Sequence, residues 1–118
     1  MDIQDKLSVR HVYSNTTRII DLSRIEDQTV LFEFNEYETI EISLHSENYA
    51  VNLECLCYKQ GDEIFSCDKS FDLENDEEFI ISEGTDSDYV GYLPARYRIT
   101  VTSRDGQQKD CFFNVTLN

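Results

Sequence analysis

The residues best suited to chemistry in this chain are oxygen donors. Asp72, Glu74, Asp76 and Glu83 fall at positions 1, 3, 5 and 12 of the twelve-residue window Asp72–Glu83, a spacing shared with helix-flanked calcium loops. Such a loop takes glycine at position 6 for its sharp turn, and Glu77 stands there. No apolar residues recur with helical spacing on either side, so the paired helices of that site are not expected. What the window does offer is Asp72, Glu74, Asp76 and Glu78 as hard ligands that a folded loop can converge on calcium, the one cofactor these residues suggest. The same carboxylates also make a plain solvated loop that needs no ion.

Catalysis finds little purchase. A nucleophile needs a base within hydrogen-bond reach, and His11 and His45 are the only histidines, both in strand-like segments outside any recognisable motif. Ser82 and Ser103 lack an elbow sequence, and no glycine-rich phosphate loop is present. Paired carboxylates abound, but in so acidic a chain every spacing arises by chance. The expectation is a protein that is not an enzyme.

Charge says more. The net charge is −14, and no Lys or Arg occurs from Ile25 through Tyr58 or from Ser70 through Ala95, two stretches that carry eight Asp or Glu each. A field of that sign repels nucleic acid and anionic membranes, and no apolar run approaches the roughly 20 residues of a spanning helix. The expected partner is a protein with a basic surface, met by Asp72, Glu74, Asp76, Glu77, Glu78, Asp86, Asp88 and Tyr89. Tyr37, Tyr49, Tyr58, Tyr89 and Tyr92 lie in or near the acidic stretches, where an aromatic anchor with an acidic rim would suit an interface.

Four cysteines are placed by strand parity. Cys55 and Cys57 share the face of Val51 and Leu53, and Cys111 that of Phe113 and Val115, which reads as buried reduced thiols. Cys67 depends on the hairpin after Tyr58: a three-residue loop sets it opposite Cys55, within reach of a disulfide, whereas a two-residue loop moves it off that partner. If Met1 is the native start, the first residues lack a basic, apolar and small-residue signal and the cytoplasm is expected; a domain cut from a secreted protein would read the same way.

The elements that must position these groups are strands. Strict alternation runs through Tyr97, Ile99 and Val101, breaks at Asp105-Gly106, and resumes through Cys111, Phe113, Val115 and Leu117, which predicts a closing hairpin. Further strands are predicted at Leu7–Tyr13, Arg18–Leu22, Thr29–Phe34, Tyr37–His45 with Ile40, Ile42 and Leu44 inward, Ala50–Tyr58, Glu63–Cys67 and Glu78–Ser82. The fold class is therefore all-β: one domain spanning 1–118, a single antiparallel β-sandwich of jelly-roll or immunoglobulin-like topology with seven to nine short strands.

The blocks Thr39-Ile-Glu-Ile-Ser-Leu44, Val51-Asn-Leu-Glu-Cys-Leu-Cys-Tyr58, Gly61 and Ala95-Arg-Tyr-Arg-Ile-Thr-Val101 resemble, in order and pattern, the bacterial pre-peptidase C-terminal domain. The resemblance covers roughly the last ninety residues. Asn52 and Glu54 stand where that family has Asp, and Ala95 where it has Gly. It implies a β-sandwich with a binding or accessory role, in some relatives with calcium on loop carboxylates. Three expectations for function follow: an acidic protein-binding or accessory module; a small acidic inhibitor that occludes the basic site of a nucleic-acid-processing enzyme or toxin, as counter-defence and immunity proteins do; and a calcium-stabilised module of a surface protein.

Overall fold

Alternating apolar residues bury one face of the central strands, and two such faces close on one another. The computed structural model describes residues 3–24, 29–34, 39–60, 62–67, 69–81 and 93–117. The strands are β1 (Lys6–His11), β2 (Thr16–Asp21), β3 (Thr29–Phe34), β4 (Ile40–His45), β5 (Tyr49–Gln60), β6 (Glu63–Ser66), β7 (Ser70–Leu73), β8 (Glu78–Ile81), β9 (Leu93–Ser103) and β10 (Gln108–Leu117), with one 3-10 turn at Leu22–Arg24. One sheet has the order β2-β1-β4-β8; the other has β3-β10-β9-β5-β6, with β7 also on β5.

The smaller sheet turns Leu7, Val9, Ile20, Ile40, Ile42, Leu44 and Ile81 inward, and the larger sheet answers with Val51, Leu53, Cys55, Leu73, Tyr97, Ile99, Val101, Cys111 and Phe113. This is the expected all-β sandwich, and Tyr97, Ile99, Val101, Cys111 and Phe113 of the closing hairpin turn inward as its alternation predicts. Gly106 takes φ +87 in the turn, a left-handed conformation that glycine adopts without a Cβ clash, and its N–H donates to Ser103 O at 3.0 Å. The Ser103 hydroxyl donates to the Asp105 carboxylate and, with the Gln107 amide, holds that carboxyl below its ordinary range.

Several details depart from the alternation. β3 runs parallel to β10, so the larger sheet is mixed. β6 and β7 lie along one edge of β5; taken as a single interrupted strand they bring the total to nine. β7 falls partly in a segment that reads as polar loop, because a four-residue strand shows only two alternations. Leu22 leaves the second strand for the 3-10 turn and is buried there.

The largest correction concerns Cys57. The pairing of β5 with β9 slips between Cys55 and Tyr58, a β-bulge. One extra residue reverses the inward parity, so Tyr58 is buried while Cys57 is half-buried and off the face of Val51, Leu53 and Cys55. The β5–β6 connection is the two-residue form, with Gln60 opposite Glu63. Even so, Cys67 packs against the core beyond the end of β6.

Candidate functional site

The acidic corner is built at the end of the sandwich where β4 leaves one sheet and β7 crosses to β8. β7 belongs to the larger sheet and β8 to the smaller, so residues 70–81 form an arch whose crown is Glu74–Glu77. The crown is tied to its neighbours by backbone bonds. Asp76 N–H donates to Leu44 O at 2.7 Å, Leu44 N–H to Glu77 O at 3.1 Å, and Glu77 N–H to Glu74 O at 3.0 Å. Side chains complete the tie: Ser46 N–H donates to Asn75 Oδ1 at 2.9 Å, and Glu74 N–H to Glu77 Oε1 at 2.8 Å. Asp76 sits at φ 65, a left-handed conformation that aspartate tolerates better than most residues.

The next layer anchors this crown to the chain's start. The Ser46 hydroxyl donates to Asp5 Oδ1 at 2.7 Å and accepts the Asn48 and Tyr49 amides, both at 3.1 Å. Asn48 Nδ2 also donates to Asp5 Oδ1, at 3.1 Å. Arg104 donates through Nη2 to Glu47 O at 3.0 Å, linking the β9–β10 turn to the same end.

Asp72, Glu74, Asp76, Glu77 and Glu78 are all exposed. Asp72 accepts from Asn52 Nδ2 at 2.8 Å and borders an open groove of ≈ 520 Å³ with Glu74, Thr100, Thr102 and Gln108. Asp76 Oδ1 lies 3.3 Å from His45 Nδ1. Glu78 stands opposite Ser43, on the outer face of the smaller sheet. The four carboxylates considered for calcium thus face different neighbours, and among the described residues no group of three or more His, Cys, Asp or Glu is gathered to hold a metal ion. Asp86, Asp88 and Tyr89, also expected at the partner surface, lie outside the described residues, as do Tyr37 and Tyr92. Tyr58 is buried and Tyr49 half-buried, so neither is an exposed anchor.

The arginine ion pairs lie elsewhere. Arg10 holds Glu41 at 2.9 Å, Arg98 holds Glu54 at 3.2 Å, and Arg24 lies 3.9 Å from Asp21. Among the described residues no Lys or Arg pairs with the five acids of the arch, and Asp76 has His45 beside it.

The apolar half of the site was not visible as such in the sequence. Phe71 and Phe79 bring the two sheets together with ring centroids 4.8 Å apart, and Phe79 meets Tyr97 edge-on at 6.1 Å. Phe71 remains 39% exposed and Ile80, on the opposite face of β8, 42% exposed. The only available signal was the short alternation of Phe71 and Leu73.

The thiols form a separate group. All four are free. Burial pushes the Cys55 thiol up to about 12, with the neighbouring Cys67 adding to it, and burial alone pushes Cys111 to about 11. Tyr58 and Tyr97 are likewise raised by burial, with Cys55 beside them. The class of molecule defined here is a two-sheet β-sandwich with an acidic arch. Compared with known proteins, the sequence matches no protein-family model and no curated protein.

Proposed function

We propose that this chain is a non-enzymatic protein-binding or accessory module that receives a basic protein surface on the arch of residues 72–78. The observation that carries the reading is the combination of exposed acids that no described Lys or Arg pairs and a hydrogen-bonded backbone at the crown. A loop already held by five hydrogen bonds from its own strands and from β4 loses little conformational entropy on docking. Its charges are exposed on a backbone already in place, which favours fast, salt-sensitive association. The inhibitor reading is the narrower form of the same surface: the basic partner is then an enzyme or toxin whose nucleic-acid groove the arch occludes.

The test is affinity capture from nuclease-treated lysate at low and high salt, comparing the native chain with Glu74→Lys/Glu78→Lys. Those two positions are chosen because Glu77 caps the Glu74 amide and Asp76 holds a left-handed backbone, so changes there would disturb the turn itself. A basic partner kept by the native chain at low salt and lost from the variant is expected. Partners retained equally by both chains would sink the proposal.

A further inference from the structure

We infer that β8 is a docking edge that accepts an extended segment of a partner as an added strand, the segment alternating Lys or Arg with apolar residues. The inference deepens the proposal above and rests on it for the sign of the charge; the strand addition comes from the register.

Among the described residues β8 is the last strand of its sheet. Leu44 N–H donates to Glu77 O, and the register Ser43 to Glu78 continues from there, so in an antiparallel ladder Ile42–Phe79 and Ile40–Ile81 are the hydrogen-bonded pairs. The N–H and C=O groups of Glu78 and Ile80 therefore point away from β4, along an edge that no described strand pairs. An incoming strand finds those groups aligned to pair with it. Its inward side chains would cover Phe79 and the exposed part of Phe71, and its outward side chains would stand beside Glu78 and Ile80. Apolar residues suit the first face and cations the second, with Asp76 close by.

β7 is the poorer edge. Asn52 already engages the Asp72 carboxylate, and the edge it shares with β6 is interrupted between Ser66 and Ser70. A second copy of this chain is disfavoured as the occupant, because it would bring a −14 molecule against the same acids.

The probe is the capped peptide Lys-Val-Lys-Phe-Lys-Val-Lys added to the isotope-labelled full chain, with amide exchange followed by NMR. With peptide at about ten times its Kd, exchange at Glu78 and Ile80 should slow roughly tenfold by mass action, while amides at the far β2 edge keep their rates. Ile80→Pro removes only an outward donor, so it should keep the native melting temperature within a few degrees and abolish this protection. A peptide of the same charge, N-methylated at alternate residues to block pairing, should fail to protect either amide.

Three results would overturn the inference. Protection of Glu78 and Ile80 already present in the free protein would mean the edge is covered, by the chain itself or by a second copy. Equal binding of the N-methylated peptide would remove strand addition while leaving the acidic arch as a charge-driven site. No binding of either peptide at low salt would remove both readings together.

Discussion

Ser46 is the one buried polar side chain among the described residues, and it gathers three partners. Its hydroxyl gives its proton to Asp5 and accepts two amides of the turn into β5, so removal leaves those two donors without that acceptor. Ser46→Ala should cost about 1–3 kcal/mol in denaturant unfolding, the range for orphaned buried polar groups. The buried thiols give a second residue-scale prediction. Cys55 titrates near 12 and Cys111 near 11 in the folded chain, against 9.0 for an ordinary thiol. Because folding favours the protonated form, the unfolded chain loses its protons first as pH rises. The stabilisation is complete below about pH 9 and is lost progressively through the folded values. Thermal melts should therefore fall steeply above pH 9, and Cys55→Ala/Cys111→Ala should flatten that decline.

Among the elements, the closing hairpin and the arch are set by opposite means. The hairpin is local: β9 and β10 follow one another, and Gly106 makes the turn. A Cβ at Gly106 would meet nothing within 4 Å, so Gly106→Ala should cost only the backbone strain, about 1–2 kcal/mol, read as a drop in melting temperature. The arch has no pairing between its own strands, since β7 and β8 sit in different sheets. It is held by the β5 and β4 ladders and by packing of Leu73, Phe79 and Ile81 against the core. Ile42 pairs with Phe79 and is fully buried. Ile42→Ala should therefore cost about 2–5 kcal/mol and raise exchange across 70–81 more than across β9 and β10.

For the molecule as a whole, self-repulsion is the dominant long-range term. With 24 acidic residues against 10 basic ones, screening by salt should stabilise the folded chain. Its melting temperature should rise on going from low to high NaCl, and a flat response would show that the acids are already neutralised by bound cations. The same salt that steadies the fold should weaken capture of a basic partner. Stability and affinity are expected to move in opposite directions along one titration.

The sequence alone determined the all-β class, the core faces of β4 and β9, and the closing hairpin, because strand parity is a local property with a period of two. Ile40, Ile42 and Leu44, or Tyr97, Ile99 and Val101, announce their burial by spacing alone. It also determined the sign of the surface, since charge is additive. Where parity breaks, it could not follow: the bulge that buries Tyr58 in place of Cys57 arises from pairing β5 with a strand about forty residues away. The crossing of β7 to the other sheet, the parallel docking of β3 on β10, and the meeting of Phe71 with Phe79 beside the acids of the arch are likewise long-range. Only the tertiary structure decided them, because each depends on which distant backbone a strand pairs with, and no local pattern carries that information.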